Sequence, residues 1–410
     1  MKLRRIIIIV LILALGFLVY YGRDKWRDDD HKIAAFSRAL EADPKDAETY
    51  YKRGKAHYRQ GDYNAAIGDF NRALEFNPKG VFRYHYHHYR GLAYYEKGDL
   101  AQALADYNRT LELNPRDAEA YNNRGLVYYY RGDFDAAIGD FNRALKLSPN
   151  SPQSHNNRGL AYYQKGDLPQ ALADYNRALE LNSKHAKAYH NRGNAYYRQG
   201  DWSRALADFN RALEFGHQDG ETYFQRGRVY YYKGDPEAAL ADFNRALESN
   251  PKGAFIYLYR GLAYYIKGDL ERALADFNRA LELNPKDGVA YFNRGLAYYQ
   301  KGDLAQALAD YNRGLELNPK NGWAYLNRGL VYYNKGDYDR ALTNFNQALE
   351  LDPKDIWARY YKASNLEWAG RKKEALEAYQ DFLKSAPRQY DVEILRVRER
   401  IKVLEEGSAR

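Results

Sequence analysis

Few residues in this 410-residue chain are of types and spacings that could do chemistry. His85 and His88 lie three apart in the run Arg83-Tyr84-His85-Tyr86-His87-His88-Tyr89. On a helix that spacing puts both imidazoles on one face, which makes them metal-ligating candidates. No carboxylate or cysteine accompanies them in the run, so the preferred reading is a titratable, aromatic-rich partner surface with no metal. The chain has no cysteine, which removes thiolate ligands, disulfides and cysteine nucleophiles. It also has no Gly-rich phosphate loop, nucleophile elbow or zinc-protease spacing. The sequence therefore points to a non-enzyme without cofactors.

The second chemical pattern is a charge pair that recurs. An Arg is followed sixteen residues later by an Asp in Arg53/Asp69, Arg90/Asp106, Arg124/Asp140, Arg158/Asp174, Arg192/Asp208, Arg226/Asp242, Arg260/Asp276 and Arg294/Asp310. At the end of the array the pattern lapses, first with Arg328 opposite Asn344 and then with Lys362 opposite Ala378, where both members have departed. Joint departure suggests mutual contact. A guanidinium can grip a carboxylate with two bonds, so the pair, Arg260 and Asp276 for example, reads as structural.

The elements that position these groups follow from a repeat. The Arg precedes a glycine at Gly54, Gly91, Gly125, Gly159, Gly193, Gly227, Gly261, Gly295 and Gly329. Every spacing is 34 except the first, which is 37, and Ala363 takes the tenth place. A second glycine follows seven residues after each, always before the turn into the next segment, as in Gly302-Asp303. Gly-Asp supplies a left-handed helix end and then an N-cap, and Asn318-Pro319 ends the following helix. Each unit thus reads as two helices. The mid-helix glycine costs about 1 kcal/mol against Ala, so its recurrence implies close approach of the partner helix, with Ala307 as a small counterpart.

These residues resemble the tetratricopeptide repeat family over Ala47 to Gln389: a Tyr before the first Gly, a Tyr three after it, Ala-Leu and an aromatic on the second helix, then Ala and Pro. The resemblance implies an all-α fold, a right-handed superhelical solenoid of antiparallel helix pairs, whose concave face usually binds peptide segments of other proteins. The expected organisation is an N-terminal transmembrane signal-anchor helix (1–22), a juxtamembrane segment and half-repeat (23–46), ten repeats (47–389), and a C-terminal capping helix and tail (390–410). Tyr390, Ile394, Val397, Ile401 and Leu404 form the apolar stripe of that cap.

The first helix of each pair is expected to line the groove. Four residues after the first Gly runs a tyrosine column from Tyr58 to Tyr333, read as packed between repeats with the hydroxyl free to face a ligand. Three residues before the Gly the chain is polar up to His190, then turns apolar: Phe224, Leu258, Phe292 and Leu326. Six before it, Glu48, His85, Glu119, Gln153, Lys187 and Glu221 give way to Phe255, Val289, Trp323 and Trp357. This predicts an apolar partner site in the later repeats, against the alternative that these side chains pack along the superhelix. Two before the Gly stand Asn123, Asn157, Asn191, Asn293 and Asn327; in peptide-binding relatives an Asn here clamps the ligand, which the resemblance implies for these residues. The basic residues of a carboxylate clamp are not evident.

Residues 6–21 form an unbroken apolar run that would span about 24 Å as a helix, with Lys2, Arg4 and Arg5 before it. The positive-inside rule then puts the N-terminus in the cytoplasm and the repeats on the extracytoplasmic side, periplasmic or lumenal. A cleaved leader is the rival reading, since Ala14 and Gly16 are small and correctly spaced. The net charge of +9 is spread through mixed-sign sequence, so no nucleic-acid partner is expected. The leading expectation is a non-catalytic, membrane-anchored scaffold that binds peptide segments of partner proteins; the alternative is a binder of a non-protein polymer such as a cell-wall glycan.

Overall fold

The computed structural model describes residues 28–406. The apolar run 6–21, and with it the expected anchor helix and its cleavage alternative, lies outside the described residues. Among those described, regular structure is entirely helical, and no helix is long and apolar enough to cross a membrane.

The described residues divide into two compact units, those up to 200 with 214–216, and 201–213 with those from 217 on. Unit 1 carries α1 (28–42), α2 (Ala47–Arg59), α3 (Tyr63–Phe76), α4 (Arg83–Glu96), α5 (Leu100–Leu113), α6 (Ala118–Tyr130), α7 (Phe134–Leu147), α8 (Pro152–Lys165), α9 (Leu168–Leu181) and α10 (Ala186–Gln199). Unit 2 carries α11 (Trp202–Glu214), whose last residue is grouped with unit 1, then α12 (Gly220–Tyr232), α13 (Pro236–Ser249), α14 (Ala254–Ile266), α15 (Leu270–Leu283), α16 (Gly288–Lys301), α17 (Leu304–Leu317), α18 (Gly322–Asn334), α19 (Tyr338–Leu351), α20 (Ile356–Trp368), α21 (Lys372–Ser385) and α22 (Asp391–Glu406).

Local chemistry sets these boundaries. Gly302 has φ of 86°, the left-handed conformation that penalises a Cβ, and Asp303 then caps α17 by accepting the Gln306 amide. Asp235 caps α13 in the same way, with Pro236 at its first position. The 37-residue repeat keeps the same two-helix plan. Most of its extra length lies in the loop 77–82 rather than as another turn of helix: α4 has 14 residues against 13 in α6. Val81 and Phe82 are left exposed there.

Within each pair the second helix seats an aromatic ring on the first glycine. A Cβ added at Gly261 would stand 2.7 Å from Phe277 Cε1, and one at Gly125 2.7 Å from Phe141 Cε1. The close partner is therefore chiefly the ring, with the Ala307 backbone carbonyl only a secondary neighbour of Gly295. Within each unit, first helices of successive pairs touch (α4 with α6, α14 with α16), whereas successive second helices do not. First helices thus crowd the inner side. At the C-terminus Val397 and Leu404 of α22 bury against Leu366, Ala375 and Phe382, as the apolar stripe predicts.

Candidate functional site

The Arg–Asp pairs hold each helix pair together. Arg260 donates from Nε to Asp276 Oδ2 and from Nη2 to Asp276 Oδ1, both at 2.7 Å. The same two-bond grip recurs at Arg53/Asp69, Arg90/Asp106, Arg124/Asp140, Arg158/Asp174, Arg226/Asp242 and Arg294/Asp310. The bond to the aspartate raises the Arg260 pKa against the opposing effect of burial. Arg328, facing Asn344 at 2.8 Å, has no carboxylate, and burial depresses it instead.

Sequence reasoning missed the third partner. Arg260 Nη1 donates to Asn244 Oδ1 of the preceding repeat at 2.7 Å, and Arg124, Arg158, Arg294 and Arg328 reach Asn108, Asn142, Asn278 and Asn312 likewise. One arginine thus joins its own two helices and staples them to the unit before. The signal was present as an Asn-Arg step on every second helix from Asn71-Arg72 to Asn312-Arg313.

In unit 1 the inner face is polar. Asn157 donates to Asn122 Oδ1 at 3.1 Å, Asn122 to Asn123 Oδ1 at 3.3 Å, Asn156 to Asn157 Oδ1 at 3.4 Å, and Asn191 to Asn156 Oδ1 at 2.9 Å. These amides form a ladder across α6, α8 and α10. Beside it lies a cavity of about 340 Å³ lined by Glu119, Asn122, Asn123, Ser148, Ser151, Gln153 and Ser154, among others. Asn123 and Asn157 are therefore brought together, while Asn293 and Asn327 are spent on Val289 O and Trp323 O of their own helices.

His85 and His88 do not gather a third ligand into a metal-binding cluster among the described residues. His88 is buried, and its ring nitrogens stand 3.6 Å from Asp117 and 3.7 Å from Glu119, both supplied by the next repeat. Burial opposes its charge, but the two carboxylates prevail and lift it to about 9, and they are themselves lowered. His85 is moved the other way, mainly by burial. His88 thus forms a buried ion-pair cluster with acids that the local sequence did not reveal, and His85 lies half-buried beside it among aromatic rings.

In unit 2 the apolar residues separate into two sets. Leu258, Phe292 and Leu326 are buried, so they serve the core and are not available to a ligand. Phe292 fits because Gly314 stands where most other second helices have Ala: a Cβ at Gly314 would lie 2.2 Å from the Phe292 ring. Phe224 is half-buried, tilted on Phe243 and edge-on to Tyr259. Phe255, Val289, Trp323 and Trp357 remain 62%, 51%, 43% and 38% exposed. They share the helix stripe of Asn293 and Asn334 (i, i+4, i+11), and Asn334 reaches Tyr299 of the preceding first helix. That stripe is the inner side. Tyrosines four after the glycine, such as Tyr265 and Tyr299, are half-buried along it; burial raises the pKa of Tyr265.

Family models described as tetratricopeptide repeat match residues 47–79, 90–152, 141–173, 186–252, 224–288, 277–309, 322–355 and 357–388, and one described as TPR repeat matches 159–200 and 295–336. None of the curated proteins compared with the chain matches it. Among solved structures, the chain is similar to the APC/C hetero-tetramer Cut9-Hcn1 at 16% identity and TM-score 0.52, over 78% of this chain and 76% of that one, a likeness of fold alone. It is also similar to YrrB, described as a TPR protein with an unusual peptide-binding site, at 28% identity and TM-score 0.41, over 45% of this chain and 95% of that one. A tetratricopeptide repeat protein from Parabacteroides merdae is 23% identical at TM-score 0.48, over 61% of this chain and 98% of that one.

Proposed function

The chain belongs to the tetratricopeptide repeat family, and on that premise we propose that it is a non-catalytic, membrane-anchored scaffold whose inner faces bind segments of partner proteins. One observation carries the binding site. Phe255, Val289, Trp323 and Trp357 stand in register on the first helices of four consecutive repeats, and all four stay exposed while their neighbours three residues on are mostly buried. Large apolar side chains partly exposed at four successive positions, most at Phe255 and least at Trp357, which leans on Tyr361 and Tyr390, are the mark of a surface that another molecule covers. The anchor reading rests on the apolar run 6–21 and its preceding basic residues; by the positive-inside rule these support a repeat domain on the extracytoplasmic side.

The test is crosslinking in membranes followed by quantitative capture, comparing the native chain with Phe255→Ser, Val289→Ser and Trp323→Ser combined. Loss of the captured partners at unchanged abundance supports the site; retention of every partner refutes it. Protease added to intact cells or to opened ones reports the side of the membrane, and a chain released by salt alone would refute the anchor.

A further inference from the structure

The exposed apolar column of unit 2 has a companion that the proposed function does not use. Three residues ahead of Phe255, Val289, Trp323 and Trp357 stand Lys252, Lys286, Lys320 and Lys354, each on the loop that enters the first helix. All four lysines are exposed, and among the described residues none takes part in an ion pair. The acids nearest in sequence are otherwise engaged: Asp287 Oδ1 accepts the Val289 and Ala290 amides, and Asp355 Oδ1 those of Trp357 and Ala358. The other two caps are Gly253 and Asn321, which carry no charge.

Lysine or arginine also occupies this loop register in unit 1, at Lys45, Arg116 and Lys184. There the residue three further on is Glu48, Glu119 or Lys187, so it is charged, of either sign, and no apolar stripe accompanies the basic residues. Only in unit 2 does a row of exposed lysines that make no ion pair among the described residues run beside a row of exposed apolar side chains, with a capping aspartate next to Lys286 and Lys354 and none next to Lys252 and Lys320.

We propose that this double row binds an acidic polypeptide segment in extended form, with apolar side chains at every third residue seated on Phe255, Val289, Trp323 and Trp357 and carboxylates facing the four lysines. The proposal rests on the groove reading above and adds the partner's chemistry. Spacing favours the extended form. Packed helices lie about 8–10 Å apart, and a polyproline-like strand returns to the same face every three residues, about 9 Å. A ligand helix would need seven residues for each such step, about 10.5 Å, and more than twenty to engage all four repeats. The inner, crowded side of the first helices suits a chain better than a bilayer, although lysine beside tryptophan would also attract an anionic lipid surface.

The experiment uses the full chain in mild detergent and labelled peptides that repeat Leu-Glu-Glu, Leu-Ser-Ser or Leu-Lys-Lys four times, read by anisotropy and by tryptophan emission from Trp323 and Trp357. The Leu-Glu-Glu peptide is expected to bind about tenfold more tightly than Leu-Ser-Ser, and Lys286→Glu with Lys320→Glu to abolish that difference while leaving Leu-Ser-Ser binding unchanged. Both substitutions are at exposed positions, and circular dichroism checks the fold of the variant. Equal binding of Leu-Glu-Glu and Leu-Ser-Ser overturns the acidic partner but leaves the groove. Binding of neither, at any concentration that saturates the label, overturns the groove as well. Preference for Leu-Lys-Lys, or lysine-dependent binding to phosphatidylserine vesicles with none to Leu-Glu-Glu, overturns the proposal in favour of another occupant.

Discussion

The aromatic seated on each repeat's glycine offers a test in which the same substitution should have opposite effects at equivalent positions. Phe70, Phe141, Phe243, Phe277 and Phe345 fill the seat in five repeats, but Tyr107, Tyr175 and Tyr311 fill it in three others. Those three rings are fully buried, and among the described residues their hydroxyls have no hydrogen-bond partner. A buried, unpaired hydroxyl costs about 1–3 kcal/mol, so Tyr107→Phe, Tyr175→Phe and Tyr311→Phe should each stabilise by about 1 kcal/mol after the lost contacts of the oxygen are deducted. The tenth repeat differs. Tyr379 donates to Glu367 Oε2 at 2.7 Å, and Glu367 stands in the register that tyrosine holds in the earlier repeats. Removing a bond to a charged acceptor costs about 1.5–3 kcal/mol, so Tyr379→Phe should destabilise by about 2 kcal/mol. Urea unfolding gives the total effect. Amide hydrogen exchange resolved by repeat is the sharper assay, because long repeat arrays need not unfold in one step. A loss of stability at Tyr107, Tyr175 and Tyr311 comparable to that at Tyr379 would refute the reasoning, since it would mean that the three hydroxyls are satisfied.

Three further outcomes follow from the charge network. Arg260→Ala should cost about 2–4 kcal/mol because it strands buried Asp276 and frees Asn244, and Arg260→Ala with Asp276→Ala should cost less than the sum of the single changes in a thermal-melting cycle; additivity would exclude the coupling. Asn344→Asp should stabilise by about 1 kcal/mol at neutral pH by giving half-buried Arg328 the carboxylate that the other repeats have, and the gain should vanish in acid as that carboxylate protonates. His88 is raised in the folded chain to about 9, above the ordinary value of about 6.5, so its contribution is full below about 6.5 and is lost as pH rises through about 9. Unfolding midpoints of unit 1 measured from pH 6 to pH 10 should therefore fall in the native chain and flatten in His88→Gln, whereas parallel curves would show that Asp117 and Glu119 do not hold the imidazolium.

What the sequence made legible was whatever a short stretch encodes by itself. Gly302-Asp303 is a helix end followed by a cap wherever it occurs, and the stripe Val397, Ile401, Leu404 is amphipathic in isolation. Arg260 and Asp276 could be paired because their spacing repeats and because both members have departed together in the last repeat, at Lys362 and Ala378. The contacts that escaped are those made between repeats. Asn244 reaches Arg260 from the preceding repeat, and Asp117 with Glu119 reaches His88 from the following one. The apolar residues show the same limit. Phe255 and Leu258 lie one turn apart on one helix, and periodicity alone gives both to the inner stripe. For Phe292 the sequence held a signal that the reading missed: Gly314, lacking the methyl group that most second helices have there, leaves room for the ring to go inward.

That separation decides where specificity can be written. Along the inner stripe most registers already have a structural duty. Leu258, Phe292 and Leu326 fill the core, Asn157 and Asn191 bind the amide ladder, Asn293 and Asn327 bond their own helix, and Tyr299 accepts from Asn334 of the next repeat. A change at any of these alters stability before it alters binding. At Phe255, Val289 and Trp323 the register six before the glycine carries no hydrogen bond, and these side chains stay about half exposed, whereas Trp357 in the same register packs on Tyr361 and Tyr390. The identity of the first three is therefore free to follow a ligand. In the same register Glu119 of unit 1 is tied to His88, a structural use that leaves it less free to vary. The two faces should consequently respond differently to the same experiment. Serine at Phe255 or Trp323 should remove binding while leaving the melting temperature unchanged, whereas glutamine at Glu119 should lower the stability of unit 1. A melting temperature that falls with the serine changes would mean that the apolar column supports the fold, and the case for a ligand there would be lost.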